Sequence, residues 1–276
     1  MRTFAGARSR WSIGQLLMYA ALLIMTAFFL VPIVWAIVDA VGVTAVRWLL
    51  NSVVYSTAGV VIAVGLCIPA GYGIATHEFP GRRALLILTI LMMLIPPTAL
   101  VLPLFLEANA AHLLTSPLAL ILPYGLFPFG VYLAYLYFNT ARFHALLESA
   151  RIDGCNEWQV FRRVAIPLSL PVSALIVFLN FVASWTNFFL PWVMFWSFGT
   201  TSRYPLSLGI ALQLYHPQTT GFYAGGGAVA SGLQLHTSSP PSQVALLVLL
   251  AGLPVVVVFV LAQRWIGSGQ LQSVFR

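Results

Sequence analysis

Six apolar runs divide this 276-residue chain, and each is long enough to cross a membrane as a helix, which takes about 20 residues. Charged residues make up only 7% of the chain, whereas a soluble domain carries about 25%. The sequence therefore predicts an all-α integral membrane protein. Its six transmembrane helices are expected at residues 16–38, 51–75, 84–106, 117–138, 172–196 and 243–263.

The arginines predict how these helices are oriented. All thirteen basic residues are arginine, and with the N-terminus inside the cell only Arg47 and Arg203 lie on the outer side. This asymmetry follows the positive-inside rule and places both termini in the cytoplasm. The first run exceeds the roughly 7–15 apolar residues of a signal peptide, so we expect it to be retained. Around a transmembrane domain at 16–266, the cytoplasmic parts are then the tail 1–15, the loops 76–83 and 139–171 and the tail 267–276, and the segment 197–242 is an external loop.

The composition also excludes several classes of function. The formal net charge of +7 comes from arginines scattered between apolar runs and not from one basic patch, so we expect no nucleic-acid partner. The chain has no lysine, which a Walker A loop requires, so it cannot bind ATP in that way. Cys67 and Cys155 are far apart in the predicted topology and lack nearby histidine pairs, so we expect neither a disulfide nor a metal site.

Prolines interrupt the third apolar run, which reads LMMLIPPTALVLPLFL. Pro96 and Pro97 each remove an intrahelical hydrogen bond and clash with the preceding turn. Non-helical backbone at membrane depth persists only against protein or a water-filled cavity. Two interpretations remain open here, a translocation path near these prolines or a kink in a packed bundle.

The second apolar run is rich in small residues, which let transmembrane helices approach closely. We interpret them as packing positions. They are Ala58, Gly59, Ala63, Gly65, Ala70, Gly71 and Gly73.

One interval of the predicted cytoplasmic loop, ESARIDGCNEWQVFRRVAIPLSLP at 148–171, concentrates charge in this apolar chain. The sequence predicts a short helix over 148–152, in which Glu148 and Arg151 form a favourable pair at i,i+3. Gly154 favours a left-handed residue at the end of that helix.

The same interval predicts a second short helix. Asn156 is a good N-cap, and Gln159 three residues later resembles the partner residue of a capping box. One face of this helix would consist of Trp158, Phe161 and Val164 or Ala165, with Arg162 and Arg163 facing away. Pro167 and Pro171 then end the segment and lead into the fifth membrane helix.

The predicted product is a pair of short helices joined by a sharp turn at the cytoplasmic surface. Ala150, Gly154 and Cys155 would keep this turn slim enough to enter a groove, while the aromatic face anchors it and the charges face a soluble partner. An ordinary amphipathic interfacial loop is the alternative that these residues leave open.

This interval resembles the EAA loop of ABC-importer permeases, whose pattern is E-A-A, two residues, D-G-A, five residues, F, then P and P. The matching residues are Glu148, Ala150, Asp153, Gly154, Phe161, Pro167 and Pro171, and Ser149 and Cys155 replace two small alanines. In that family the loop is the coupling helix, which sits in a cleft of a cytoplasmic ATPase subunit.

Other segments resemble the carbohydrate-importer, MalG-like, subfamily, and the likeness covers roughly residues 15–266. They read NSVVYSTAGV at 51–60, HEFPGRR at 77–83, MMLIPPTALVLPLF at 92–105, SWTNFFLPWV at 184–193, YPLSLGIAL and LPVVVVFVLAQRW. The chain departs from the subfamily in a short segment at 39–48, in Thr186 and Asn187 where relatives carry an acidic member, and in an insertion at 221–242. These departures bear on contacts with the substrate and the binding protein.

The resemblance implies the ABC type I importer permease fold and a non-catalytic, multi-pass subunit of the bacterial plasma (inner) membrane. This chain would form half of a translocation path for a sugar or sugar-like solute, beside a second, MalF-like permease subunit in the lipid bilayer. Two ABC ATPase subunits would bind ATP and Mg and push on the coupling loops. An extracytoplasmic solute-binding protein would deliver the solute, and the chain itself would bind no cofactor.

The resemblance also implies roles for particular residues. The expected ATPase-coupling residues are Glu148, Ser149, Ala150, Asp153, Gly154, Cys155, Phe161 and Pro167. The candidate substrate-path residues are Pro96, Pro97, Asn180, Trp185 and Asn187, and no catalytic or metal-binding residue is expected. The external loop 197–242 would reach toward the binding protein or form a surface excursion.

Other functions fit the residues less well. A membrane-embedded enzyme or a stand-alone secondary transporter would need ionisable groups inside the apolar runs, whereas Asp39 and Glu107 lie near their ends. An ABC importer permease for an amino acid, a phosphonate or glycerol phosphate remains open.

Overall fold

The computed structural model describes residues 13–114, 116–196, 201–214 and 241–266. The chain divides into two compact units, Met1–Val43 and Thr44–Arg276. In the first unit the described residues all belong to one helix. The predicted tail 267–276 and most of the tail 1–15 lie outside the described residues.

Every regular element among the described residues is helical, as the sequence predicts. The α-helices are α1 Ile13–Thr76, α2 Arg82–Leu94, α3 Val101–Ala110, α4 Leu118–Gly125, α5 Pro128–Phe138, α6 Ala141–Ile152, α7 Glu157–Val160, α8 Ile166–Leu168, α9 Leu170–Thr186, α10 Phe189–Trp196, α11 Leu206–Leu214 and α12 Pro241–Ile266. Short 3₁₀ turns at Pro97–Leu100 and Thr201–Arg203 and a π-helical turn at Phe161–Ala165 complete the described elements.

Three helical segments from Ala45 onward are long and apolar enough to cross a membrane. They are Ala45–Thr76, Leu118–Phe138 and Leu247–Arg264. Two bent pairs also qualify if each is counted as one span, Arg82–Leu94 with Pro97–Ala110 and Glu157–Leu168 with Leu170–Thr186. These five segments fall on the last five of the six predicted helices.

The predicted connection between the first two helices is helical in the structure. We expected an external segment at 39–48, whereas α1 runs without interruption from Ile13 to Thr76. The reason is local, because VGVTAVRWLL at 41–50 contains no proline and a single glycine. The intrahelical hydrogen bonds can therefore continue through this stretch.

The third predicted helix is broken instead of continuous. The axis changes direction by 99° between α2 and α3, and Ile95 and Pro96 adopt extended backbone conformations at the break. Neither Pro96 nor Pro97 can donate a backbone hydrogen bond to the preceding turn. This break is the proline effect that the sequence predicts, with a larger bend than a simple kink.

The fifth predicted helix is also divided in two. α9 ends at Thr186, and Asn187 is extended before α10 begins. The side-chain Oδ1 of Asn187 accepts the Leu190 N–H at 3.2 Å, as an N-cap does for an orphan donor of a new helix. A single predicted helix over 172–196 is therefore wrong, because Asn187 caps a second helix.

Glycines allow α1 to approach α4 and α5 closely. A Cβ added to Gly59 would lie 2.6 Å from the Cβ of Tyr124, and one added to Gly71 would lie 2.4 Å from the Cβ of Ala134. Real Cβ atoms cannot approach this closely, so these two positions require glycine. The packing interpretation of the small residues is correct at Gly59 and Gly71.

The predicted external loop contains regular structure. Within 197–242 the structure describes 201–214, where α11 occupies Leu206–Leu214, and α12 begins at Pro241. Most of the predicted insertion at 221–242 lies outside the described residues. The sequence LSLGIALQL of α11 is apolar enough to pack on the bundle, so this part of the predicted external loop is helical.

Candidate functional site

The first helix of the charged interval is longer than the sequence predicts. α6 begins at Ala141 and not at 148. Its inward face consists of Phe143, Leu147 and Ala150, spaced at i, i+4 and i+7, and all three are buried. Of these three residues only Ala150 lies within the predicted helix at 148–152, so the prediction did not include the first part of α6.

These side chains join a core shared with the membrane helices. The core residues are Cys67, Ile68, Tyr72 and Ala75 of α1, Leu133, Ala134, Tyr137 and Phe138 of α5, Val172 and Ile176 of α9, and Phe143, Leu147, Ala150, Val160 and Ala165 of the loop. The charged interval is therefore packed onto the bundle over much of its length. Ala150 serves this packing, so our expectation that it slims the exposed turn is wrong.

Gly154 ends α6 in the left-handed conformation that the sequence predicts, with φ 85°. The Cys155 N–H donates to the Ala150 carbonyl at 3.1 Å, and the Gly154 N–H donates to the Arg151 carbonyl at 3.0 Å. These two bonds form a Schellman motif, which satisfies carbonyls that the helix end leaves unpaired. Because a β-carbon is unfavourable at this φ, glycine is the residue that this turn requires.

The predicted capping box at the start of α7 is confirmed. The Gln159 N–H donates to Asn156 Oδ1 at 2.8 Å, and the Asn156 N–H donates to Gln159 Oε1 at 3.0 Å. Each side chain therefore satisfies an orphan backbone donor of the other residue. The two helix ends that flank Gly154 are both capped by residues within the turn.

An ion pair crosses the turn between α6 and α7. Arg151 Nε donates to Glu157 Oε1 at 2.8 Å, and Arg151 Nη2 donates to Glu157 Oε2 at 3.2 Å. The hydrogen bond with Glu157 raises the pKa of Arg151 above its ordinary value. The expected pairing of Arg151 with Glu148 is replaced, because the reversal at Gly154 brings Glu157 into bidentate geometry.

The aromatic residues of the second helix divide between core and solvent. The Phe161 ring lies 5.0 Å from the Tyr72 ring of α1. The Trp158 ring is tilted by 36° against the Phe161 ring at a centroid distance of 5.9 Å, but Trp158 remains 66% exposed. The residues that face inward are Val160 and Ala165, which are fully buried. The predicted anchoring face is therefore shifted, and Trp158 belongs to the exposed surface.

A π-helical turn at Phe161–Ala165 carries the segment toward α9. Pro167 follows two residues later and has no N–H for the Arg163 carbonyl, so the regular α-helical hydrogen bonding is interrupted here. The axis then bends by 65° between the segment ending at Leu168 and α9. We predicted that Pro167 and Pro171 end the segment, but both lie within helical turns that flank the bend.

The surface that remains exposed at the turn is compact, and we call it the docking tip. We define it by six of the exposed residues, Glu148, Ser149, Ile152, Asp153, Gly154 and Trp158. Ile152 is 87% exposed, which is unusual for a large aliphatic side chain between two charged neighbours. Ile152 was not among the predicted coupling residues, although its phase relative to Phe143 and Leu147 places it off the buried face of α6.

Two candidate path residues are buried and bonded to backbone carbonyls. Asn180 Nδ2 donates to the Tyr124 carbonyl at 3.0 Å. In a regular helix this carbonyl would accept the N–H of residue 128, but residue 128 is a proline and has no N–H. Trp185 Nε1 donates to the Ala251 carbonyl of α12 at 2.9 Å. Asn180 and Trp185 thus tie α9 to α4 and to α12. Asn180 Oδ1 is buried with no hydrogen-bond partner among the described residues.

The other candidate path residues lie at helix breaks. Pro96 and Pro97 are exposed at the bend between α2 and α3. Asn187 caps α10, and its carbonyl accepts the Ser207 hydroxyl at 2.8 Å. Two of the five candidates thus make buried hydrogen bonds to other helices, and the other three lie at helix breaks. The described residues contain no group of acidic, histidine and cysteine side chains with metal-site geometry, and Cys67 and Cys155 are free thiols.

Comparison with known families identifies the architecture that carries this loop. Residues 67–272 match the family described as binding-protein-dependent transport system inner membrane component. The chain belongs to this family. The resemblance to ABC-importer permeases drawn from the charged interval is therefore confirmed.

Several curated relatives are sugar transport permeases. The chain is 32% identical over 148 residues to the arabinooligosaccharides transport system permease protein AraQ of Bacillus subtilis (strain 168), a match covering 54% of this chain and 52% of AraQ. It is 29% identical over 236 residues to the maltose/maltodextrin transport system permease protein MalG of Escherichia coli (strain K12), covering 80% of this chain and 69% of MalG. The match to AraQ thus spans about half the length of that relative.

A solved structure shares the fold. It is the crystal structure of a bacterial ABC transporter involved in the import of the acidic polysaccharide alginate, and the match covers 95% of this chain and 99% of that chain. The TM-score is 0.63 at 21% sequence identity. The helices of the present chain therefore adopt an ABC-importer permease fold.

Proposed function

We propose that this chain is a transmembrane permease subunit of an ATP-driven importer that carries a sugar or sugar-like solute. The observation that carries the proposal is the docking tip, in which an exposed Ile152 and a left-handed Gly154 stand on a loop whose other face is built into the bundle. A tip of this kind suits contact with a soluble subunit, since it combines exposed apolar and charged groups on a fixed support.

The geometry of the turn explains how such a tip would transmit force. The Schellman motif, the capping box and the Arg151–Glu157 pair each restrain the turn on a different side. A displacement applied at Gly154 would pass through Leu147 into the core of α1, α5 and α9. Packed helices respond to such displacements by switching between discrete arrangements, as alternating access requires.

The partners follow from the proposed function. They are a second, MalF-like permease subunit, two ABC ATPase subunits that hold ATP and Mg, and an extracytoplasmic solute-binding protein, assembled in the bacterial inner membrane. Both chain termini would be cytoplasmic, in line with the arginine distribution. The coupling residues would be Glu148, Ser149, Asp153, Gly154 and Cys155 at the turn, with Ala150, Phe161 and Pro167 supporting it.

The proposed solute path centres on Asn180. Asn180 Oδ1 is a buried acceptor that has no donor among the described residues, and an unpaired buried acceptor is unfavourable. A rearrangement that exposes it would offer the acceptor to a solute hydroxyl. Trp185, Asn187, Pro96 and Pro97 are proposed to border the same path when the bundle opens.

Sugar is preferred over other solutes because several relatives are named as sugar transport permeases. A permease for glycerol phosphate or another non-sugar solute is the alternative within the same family. The stand-alone secondary transporter receives no support from the described residues, since the carboxylates of the five described spans, Glu107 and Glu157, lie near the ends of these spans and not at their centres.

The first test is a mild-detergent pull-down of the tagged chain from its native host, followed by mass spectrometry. We expect an ATPase subunit and a second permease to accompany the wild type and the ATPase to be lost from Gly154→Trp. Gly81→Trp is the matched control, because Gly81 also has a positive φ, 93°, and open space around it. Recovery of the chain without any ATPase, in conditions that preserve other importers, would contradict the proposed function.

A further inference from the structure

We propose that the Ala45–Thr76 part of α1 connects the docking tip to the segment 202–209 on the opposite side of the membrane. Glu157 and Asn51 are the positioning residues at its two ends. This inference rests on the proposed function, because it concerns how movement driven by the ATPases would reach the external side of the subunit.

The external end of this helix is hydrogen-bonded to the backbone of residues 202–206. Asn51 Nδ2 donates to the carbonyls of Ser202 at 2.9 Å and Tyr204 at 3.0 Å. Asn51 and Tyr55, at i and i+4, lie on one face of α1, and Ser52 is the third residue that contributes a bond. The Tyr55 hydroxyl donates to the Arg203 carbonyl at 3.0 Å, and the Leu206 N–H donates to Ser52 Oγ at 2.7 Å.

Close packing reinforces these hydrogen bonds. A Cβ added to Gly209 would lie 2.1 Å from Cε3 of Trp48, so α11 lies directly against the Trp48 indole. The Ser207 hydroxyl also donates to the Asn187 carbonyl at the α9–α10 break. The segment 202–209 is therefore attached to α1 and to the fifth predicted helix, and it is not a free loop.

The cytoplasmic end of the same helix is attached to the charged loop. Glu157 Oε2 lies 3.6 Å from His77 Nε2, directly after the end of α1, while both Glu157 oxygens hold Arg151 of α6. Below this ion pair, the Tyr72 ring contacts Phe161 at 5.0 Å. The loop thus contacts the end of α1 through polar and aromatic side chains, in addition to its covalent link with α9.

The helix between the two ends is suited to carry displacement. Residues 51 and 76 are about 38 Å apart along a helix that rises 1.5 Å per residue, which exceeds the roughly 30 Å of a membrane core. Pro69 leaves the Gly65 carbonyl without its intrahelical donor, but the helix continues past it. The close packing of Gly59 on Tyr124 and of Gly71 on Ala134 supports the helix on both sides of Pro69.

Movement of the loop would therefore cross the membrane by two routes, through α9 and through α1. When the docking tip moves, α1 would be displaced together with α9, and the hydrogen bonds of Asn51, Ser52 and Tyr55 would move 202–209 with it. This segment precedes the remainder of the predicted external loop. The helix would therefore link nucleotide state on one side to loop position on the other.

The experiment follows backbone hydrogen exchange at 202–209 in the complete importer complex, purified with its ATPase subunits in lipid nanodiscs. Exchange is compared without nucleotide and after trapping with MgATP and orthovanadate. In the wild type we expect trapping to change the exchange rate of this segment. Glu157→Gln should reduce that change at least about five-fold, at the low end of measured couplings between sites, while the ATPases still trap vanadate.

Two further variants and one control define the result. Asn51→Leu should speed exchange at 202–206 in both states and remove the nucleotide-dependent change there, with the response of α6 retained. In the double variant Arg151→Glu, Glu157→Arg the ion pair across the turn is re-formed but the carboxylate beside His77 is lost, so the response should stay as small as in Glu157→Gln, and full recovery would contradict the contact through His77. Glu107→Gln, an exposed glutamate on α3, should behave as the wild type.

The possible failures are distinguishable. If the wild-type complex traps vanadate but 202–209 does not respond, or if Glu157→Gln responds fully, the connection through α1 is wrong and the proposed function stands. If no ATPase accompanies the wild-type chain, the proposed function fails and this inference fails with it.

Discussion

Arg151 and Glu157 face each other across the turn at Gly154, and two hydrogen bonds of 2.8 and 3.2 Å join the guanidinium to both carboxylate oxygens. The pair connects the last turn of α6 with the first turn of α7, which the chain itself joins only through the turn. Both side chains are partly exposed. The pair therefore restrains the direction of the docking tip more than it stabilises the fold.

This relationship predicts a separation between stability and coupling. Arg151→Ala should lower the unfolding free energy by less than about 1 kcal/mol, as is usual for an exposed ion pair, but it should raise ATP consumption per solute transported. Arg151→Lys should restore only part of the coupling, because lysine cannot form the bidentate contact. Thermal unfolding and reconstituted transport measure the two effects. Unchanged coupling in Arg151→Ala would show that the caps alone orient the turn.

Ile152 is predicted to contribute directly to ATPase binding. Replacement by serine removes a large exposed apolar surface without disturbing the core, so the isolated chain should unfold at the same temperature. We expect weaker retention of the ATPase subunits in detergent, measured by size-exclusion chromatography of the purified complex. Leu146→Ser is the matched control, since Leu146 is an exposed aliphatic residue on the same helix. Equal losses in both variants would argue against a specific contact at Ile152.

Gly71 and Gly73 differ in their surroundings and should respond oppositely to the same substitution. Gly71→Ala places a Cβ 2.4 Å from Ala134 and 2.7 Å from the Tyr135 backbone nitrogen, and overpacking of this kind costs about 1–3 kcal/mol. Gly73→Ala meets open space and should be neutral or stabilising by about 0.5–1 kcal/mol, because glycine is unfavourable in a helix. Thermal unfolding in detergent compares the two. Equal midpoints would contradict the close α1–α5 packing.

Asn180 is predicted to stabilise the break between α4 and α5. In Asn180→Leu the Tyr124 carbonyl loses its donor, and leaving a buried acceptor unpaired costs about 1–3 kcal/mol. Thr186→Val, which removes a bond within α9 only, should have a much smaller effect on thermal unfolding. A stable Asn180→Leu protein with impaired uptake would instead assign Asn180 mainly to the solute path.

Short-range features of the loop were predictable from the sequence. The left-handed Gly154 and the Asn156–Gln159 capping box depend on hydrogen bonds and dihedral preferences within a few residues. The bend at Pro96 likewise follows from a missing backbone donor. Such features are determined by neighbouring residues, whatever surrounds them.

Longer-range relationships depended on the tertiary structure. The start of α6 at Ala141, the burial of Ala150 and the exposure of Trp158 all depend on which face of the loop the bundle covers. The hydrogen bond from Asn51 to Ser202 joins residues 151 positions apart, and no local pattern indicates it.

The sequence by itself thus determined the membrane class, the family resemblance and the caps of the charged loop, because apolar length, motif spacing and local hydrogen bonding are properties of contiguous residues. Only the tertiary structure decided that Arg151 pairs with Glu157 and that α1 contacts both the loop and the segment 202–209. Those contacts arise where helices distant in sequence pack together, and side-chain partners are selected by the geometry of that packing.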